Sequence, residues 1–401
     1  MTRGLFGRLG LLGSTRSGSA TAHPGADRPG ATHPAADRLG ADRVCNRRRS
    51  GRQVTARRSV LWFGAVLAVI HLGVAAALDH TRPGIRDPEY GRRVDRLRAR
   101  LAENPGRPSI VLIGSSRAAM GVRPDAWEAV RSRQGGPPAP LLFNMSLLGS
   151  GPVMELLLAR RVYADGLRPD VVLFEYWPPY LYSEREWAEP DRIAAERLSP
   201  RDRAVVRDYF PEPEKVEARL RRHWCHPIYA NRYRLLVQFA PRWVPKGHRI
   251  DWTWDNLDDW GWKPGLDLEP GFTPERAAML DRCRGVYKTL FDAYRIHPNA
   301  DRALRAAVAT ARAYGARVGL VFLPESSEFR GWYTAEAERL ARDHLRRITE
   351  DLGLPVLDTR NWMPDEYFVD GFHLSRAGAA EFTRRFGPVV AERFAPDGVR
   401  P

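Results

Sequence analysis

The sequence predicts an α/β protein, a three-layer α/β/α parallel sheet carrying a long aromatic-rich insertion and preceded by one transmembrane helix. Three observations carry that expectation. Apolar runs of strand length alternate with segments of helical apolar spacing, first over residues 109–176 and again over 300–394. Between them, Tyr180 to His297 is polar, basic and aromatic, and the alternation stops. Ahead of them, Ser59 to Leu78 contains no Asp, Glu, Lys or Arg and matches the roughly 20 residues needed to span a bilayer.

Taking the chain in order, Met1 to Arg58 is rich in Gly, Ala, Arg, Ser and Pro, with a degenerate repeat, Ala20 to Arg28 echoed by Ala31 to Arg38. Such a composition buries too little apolar surface to order itself, so 1–58 is expected to be a disordered basic tail or sequence upstream of the true start codon. It carries 12 Arg against 3 Asp, and so +9 of the net +15. No dense basic run with interleaved aromatics follows, which speaks against nucleic acid as a partner. Arg47, Arg48, Arg49, Arg52, Arg57 and Arg58 crowd the amino side of the 59–78 anchor. The positive-inside rule then puts the N-terminus in the cytoplasm and the large C-terminal part outside. A cleaved signal peptide ending at Ala75-Ala76-Ala77 is the rival reading, and the length of the apolar run favours the anchor.

Residues 79–107 read as a charged helical linker closed by Pro105-Gly106. The domain expected over 108–401 opens with the strand Ser109 to Ile113, followed by a helix through Asp125 to Val130. Leu141 to Asn144 is a second strand, Val153 to Tyr163 a helix, and Asp170 to Tyr176 a third strand stopping at Pro178-Pro179. After the insertion, placed at about 180–297, come a helix over Ala300 to Tyr314, a strand over Arg317 to Leu323 and a helix over Thr334 to Leu352. A short strand over Pro355 to Asp358 and a helix from Ser375 to about Phe394 end the domain. The insertion falls where it can cover the carboxyl edge of the sheet.

The first strand ends in Gly114-Ser115-Ser116, ahead of the helical turn Arg117 to Met120. A strand that breaks sharply into a helix lifts a serine hydroxyl to the sheet edge, with backbone N–H groups aimed at the same space. The same tripeptide is also an ordinary turn with a helix cap. What raises it above that is Asp370-Gly-Phe-His373 near the C-terminus, where a carboxylate three residues before an imidazole can orient it and stabilise its charged form.

These blocks resemble the SGNH hydrolases, also called GDSL-type esterases, a flavodoxin-like α/β/α fold. The resemblance makes Ser116 the nucleophile of a Gly-Asp-Ser block in which Ser115 replaces the Asp. Asn144 and Gly149 match the spacing of the second block, so the N–H groups of Gly149 and Ser116 would form the oxyanion hole. Asp370 and His373 match the last block. The third block departs, because Pro179 stands where the family carries an oxyanion Asn, and proline has no N–H to donate. A Gly-Ser-Ser block, one membrane anchor and an exported domain look like the D-alanine transfer protein of teichoic acid synthesis. The alginate acetyltransferases are more distant, since their Asp-His pair precedes the serine.

The resemblance implies a membrane-anchored serine esterase using Ser116, His373 and Asp370 on an acyl-ester or acylated glycan substrate. The alternatives are an O-acyltransferase modifying an envelope polysaccharide, served by a membrane acyl donor as partner, and an inactive glycan-binding or scaffold protein. No cofactor is called for, and a nucleotide binder is disfavoured by the lack of a phosphate-cradling glycine pattern. Asn144, Arg117, Glu325 and Arg330 are candidate pocket residues, against a surface role for Arg117 and an internal Glu325–Arg330 ion pair. His223 and His226 beside Cys225 lack a further ligand pattern, so no metal is assigned. Cys225 and Cys283 are either a disulfide or two free thiols.

Overall fold

The computed structural model describes residues 39–81, 83–134, 139–182, 189–265 and 271–394. The chain divides into two compact units, Met1–Ala65 and Val66–Pro401. Helix α1 (Leu39–Ala76) begins in the first. The tail expected to lack structure is thus helical from Leu39 to Arg58, and its earlier part lies outside the described residues. Thr55 to Asp79 is long and apolar enough to cross a membrane. Its large side chains, Leu61, Trp62, Phe63, Ile70 and Leu72 among them, stand exposed, whereas a helix on a soluble domain turns such residues inward.

The second unit continues with α2 (Pro83–Arg86), α3 (Pro88–Glu103), β1 (Ser109–Ile113), α4 (Ser116–Gly121), α5 (Pro124–Gln134), β2 (Leu141–Asn144), α6 (Pro152–Ala164) and β3 (Val171–Glu175). Then come α7 (Pro178–Leu181), α8 (Glu189–Arg192), α9 (Arg203–Tyr209), α10 (Pro213–Cys225), α11 (Pro227–Ala230), α12 (Arg232–Phe239) and α13 (Pro274–Asp292). The unit closes with α14 (Pro298–Ala313), β4 (Arg317–Phe322), α15 (Ser327–Arg330), α16 (Ala335–Leu352), β5 (Val356–Asp358) and α17 (Arg376–Phe394). Among the described residues, the stretch between β3 and β4 adds no strand to the sheet.

The five strands are parallel in the order β2-β1-β3-β4-β5. Side chains alternate across the sheet. Val111, Ile113, Val172, Phe174, Val318 and Leu320 point to one core, with Leu97 of α3, Leu157 of α6, Leu304 of α14 and Ile348 of α16. Ile110, Leu112, Val171, Leu173 and Val321 point to the other, with Trp127 of α5 and Phe382, Phe386 and Val390 of α17. Helices therefore cover both faces, as strands apolar on both sides demand.

The connection after β1 runs one way along the sheet and the connection into β3 returns past it. This is the point where an open parallel sheet parts its loops and leaves a crevice at the carboxyl edge. Leu112 pairs with Leu173 and Ile113 with Phe174. That register sets the turn after β1 directly beside the end of β3.

Sequence reading missed the helices between β3 and α14, of which α13 is the longest. Its buried positions, Arg276, Leu280 and Phe291, are too sparse to make an apolar stripe. The available signal was its start, where the Thr273 side chain accepts the Arg276 N–H at 3.2 Å and Pro274 occupies the first turn.

Candidate active site

β1 ends at Ile113, and the chain turns through Gly114 and Ser115 into α4. Ser115 is the N-cap, its hydroxyl accepting the Arg117 N–H at 3.1 Å. A serine and an aspartate cap a helix in the same way, so Ser115 retains the local work that an Asp would do there. The Ser115 N–H donates to Oε2 of Glu175, the last residue of β3, at 2.6 Å. Gly114 is required by that approach, since a Cβ there would lie 2.7 Å from Glu175 Oε2 and 2.9 Å from the Ala118 Cβ.

The hydroxyl of Ser116, half-buried at the first position of α4, stands 2.8 Å from His373 Nε2. The opposite ring nitrogen, Nδ1, lies 2.7 Å from Asp370 Oδ2. Asp370 Oδ1 accepts the His373 N–H at 2.9 Å and the Phe372 N–H at 3.3 Å. Burial alone would raise the Asp370 carboxyl; the His373 ring and these two N–H groups more than offset it and hold it below its ordinary value. Asp370 is therefore ionised and oriented, the state that fixes an imidazole with its free nitrogen toward the serine. A short antiparallel bridge from Phe368 to Leu374 pinches the loop that carries both residues. Gly371 inside it has φ +101°, which a side chain would strain, and its carbonyl accepts the Ser326 N–H at 2.8 Å.

Gly149 lies in an exposed turn with φ +75°. Among the described residues, no protein acceptor takes the N–H of Ser116 or of Gly149. The loop leading into α6 is held by Glu189, a buried residue that sequence reading missed. Its carboxylate accepts the N–H groups of Gly151, Val153 and Met154 at 3.0, 3.1 and 3.0 Å. Burial pushes this carboxyl up to about 7 against those donors. Nearby Glu155 is pushed well above the ordinary range by burial and then by the charges of Glu175 and Glu189.

Three of the candidate pocket residues prove to be framework, and the fourth serves the same edge. Asn144 is fully buried, with its amide nitrogen 2.7 Å from the carbonyls of both Ala118 and Val122 and its oxygen accepting the Ser146 N–H at 3.1 Å. It ties the end of β2 to α4 and leaves nothing to offer a ligand. Arg117 is neither a pocket residue nor a surface one. It is 2 % exposed, donates to the carbonyls of Leu323 and Pro324 at 2.8 and 3.0 Å, and lies 3.3 Å from Glu175 and 3.8 Å from Glu325.

Glu325 also accepts from Trp177 Nε1 and the Tyr333 hydroxyl, each at 3.1 Å. Burial pushes its carboxyl up, and Arg117 offsets that in part. The internal Glu325–Arg330 ion pair is not formed. Arg330 donates instead to the backbone carbonyls of Glu325 and Arg360, and Arg117 is the cation that Glu325 meets.

Aromatic side chains wall the relay. The Phe372 ring lies 4.4 Å from the His373 ring, and Trp177, Tyr287 and Phe329 surround Phe372 at 5.1, 5.1 and 5.2 Å. Tyr287 comes from α13, so the segment between β3 and β4 reaches the carboxyl edge. At the end of β3, Pro178 and Pro179 open α7 and provide no N–H. Cys225 and Cys283 are both free thiols, and burial, helped by Asp370, pushes Cys283 up to about 12. His223 faces Glu196 at 4.0 Å, and among the described residues no group of three or more His, Cys, Asp and Glu side chains is placed to hold a metal ion. No family model and no curated protein matches this chain.

Proposed function

We propose that the chain is a membrane-anchored serine acyl-ester hydrolase of SGNH type. One observation carries the reading: Ser116, His373 and Asp370 form a continuous hydrogen-bonded relay with a 2.8 Å and a 2.7 Å contact. In the mechanism, His373 Nε2 takes the Ser116 proton as Oγ attacks an ester carbonyl. The oxyanion then meets the N–H groups of Ser116 and Gly149. His373 returns the proton to the leaving alcohol, and a water activated by the same nitrogen releases the acyl group. Asp370 orients the ring and stabilises its charged form throughout. With Pro179 at the third strand's end, the hole lacks a side-chain amide. The loss of one such donor costs about a hundred- to a thousandfold elsewhere, so a low rate on simple esters is expected.

A second reading, O-acyl transfer to an envelope polysaccharide, is favoured by the aromatic wall of Trp177, Tyr287 and Phe372, which packs against itself beside His373 and limits the approach of water. In either case we take the apolar helix at Thr55–Asp79 as the anchor, and the arginines before it support an extracytoplasmic Ser116 domain by the positive-inside rule.

The test is fluorophosphonate labelling of the full chain in detergent, mapped by peptide mass, beside Ser116→Ala and His373→Ala. Stoichiometric adduct on Ser116, lost in both variants, is the expected result. Product analysis with and without added glycan then separates transfer from hydrolysis. No adduct on the folded chain would overturn both and leave a scaffold or glycan-binding role.

A further inference from the structure

Outside the span, the exposed large apolar side chains gather in one place. Among the described residues nine such side chains lie elsewhere than in Val60–Leu72, and six of these, Ile228, Tyr229, Leu236, Phe239, Trp243 and Trp252, fall within 25 positions of one another. Tyr229, Arg232, Leu236, Phe239 and Trp243 recur at steps of three and four, so they share one side of α11, α12 and the turn that follows. Phe239 is 81 % and Trp243 79 % exposed. The opposite side is already satisfied, with Val237, Val244 and Trp254 forming a small core of their own. Buried Asn231 fixes the α11–α12 turn by donating to the Pro227 carbonyl at 2.9 Å.

Two further facts say what covers this stripe. From His226 to Ile250 the chain has five Arg and Lys and no Asp or Glu. The segment is also joined to the root of the apolar helix. Leu78 and Asp79, at its end, are buried, and Asp79 pairs with Arg86 of α2. α12 docks on that same stretch, Arg234 donating to the Arg86 carbonyl at 2.7 Å and Gln238 to the Ile85 carbonyl at 3.2 Å. A segment hydrogen-bonded to the residues that follow a span lies close to the headgroup layer. Tyr, Trp and Phe settle at that depth, and Arg and Lys are drawn to anionic headgroups there.

We propose that the Tyr229–Leu236–Phe239–Trp243 stripe docks on the surface of the bilayer that anchors the chain, with Arg232, Arg242 and Lys246 among anionic headgroups. The proposal rests on the membrane-anchor reading. It gives the domain a second attachment beside the span, which fixes its tilt and keeps the Ser116 site at a constant orientation to the membrane. The occupant is the lipid surface itself.

The test uses the full chain with its three cysteines changed to serine, reconstituted in phosphatidylcholine–phosphatidylglycerol vesicles, with a cooperative melt as the check on folding. An environment-sensitive fluorophore is placed in turn at Phe239→Cys, Trp243→Cys, Phe63→Cys in the span and Arg384→Cys at an exposed position of α17. Blue-shifted emission at positions 239 and 243, quenched by lipids carrying a nitroxide near the headgroup, is expected, with no quenching at 384. Replacing phosphatidylglycerol by phosphatidylcholine is expected to weaken the quenching at 239. Quenching at 63 without quenching at 239 or 243 overturns the docking surface while leaving the anchor standing, and points to a protein partner for the stripe. No quenching at 63 removes the anchor reading and this proposal with it.

Discussion

The Glu175 carboxylate takes the backbone N–H of Ser115 at 2.6 Å, one residue before the serine that meets His373. The end of β3 thereby holds the turn after β1, and the position of the nucleophile depends on a strand that contributes nothing else to the relay. The same carboxylate lies 3.3 Å from Arg117, which in turn reaches Glu325 after β4. Three neighbouring strand ends are cross-braced beneath the candidate site.

Glu175→Gln retains an oxygen for the Ser115 N–H and sets an amide NH2 in place of the charged oxygen beside Arg117, which still has Glu325. Glu175→Ala leaves a buried N–H unsatisfied, at a cost of about 1–3 kcal/mol. The Ala variant is expected to slow fluorophosphonate labelling of Ser116 at least about tenfold, with Gln recovering most of the rate. Equal rates in the two variants would show that Glu175 does not position the serine.

Arg117→Met removes the cation that, among the described residues, pairs with both Glu175 and Glu325, and leaves two buried carboxylates without it. Removing one member of a buried ionic group costs about 3–5 kcal/mol. Thermal melting in detergent is expected to show a drop of that size, and Glu325→Gln in the same background is expected to recover part of it.

Gly114→Ala forces a methyl to within 2.8 Å of the Glu175 Cβ and 2.9 Å of the Ala118 Cβ. Neither neighbour is the far end of a flexible chain, so the turn itself must shift, at about 1–3 kcal/mol. The variant is expected to remain folded and to lose labelling at Ser116. Full labelling would mean that the turn tolerates displacement.

Glu189 governs a pH response. Its carboxyl in the folded chain is pushed up to about 7 from an ordinary 4.5. The folded state then holds the proton more tightly than the unfolded state. The stability from this group is complete below the ordinary value and is lost as pH rises through the folded one. Asp258, pushed up to about 6 by burial, adds the same sign. Asp370 acts oppositely, since its depressed carboxyl contributes above its ordinary range and loses that contribution only as pH falls through its folded value. The melting temperature is expected to fall from about pH 5 to about pH 8, and Glu189→Gln to flatten that slope. A slope unchanged in Glu189→Gln would assign the response to other groups.

Period and punctuation in the sequence sufficed for the five strands, most helices outside the segment between β3 and α14, and the apolar helix, while the pairing of Ser116 with Asp370 and His373 came from the resemblance to the SGNH hydrolases. A run such as Ser109 to Ile113 is too short for a buried helix and, between Pro108 and Gly114, fits a strand buried on both sides, and Asp-x-x-His places its own two groups within reach of each other by local geometry. The roles of the charged residues around them were not local. Arg117 reads as a pocket or a helix-surface residue because its partners, Glu175 and Glu325, lie 58 and 208 positions away in the chain. Asn144 reads as a pocket residue, yet its amide nitrogen is spent on the Ala118 and Val122 carbonyls and its oxygen on the Ser146 N–H. Glu189 carries no motif, and only folding sets it at the start of α6. Side-chain period and spacing are properties of a segment, whereas the partner of a buried charge is chosen by the register of strands distant in sequence. The one therefore could be read in advance, and the other was decided by the tertiary structure.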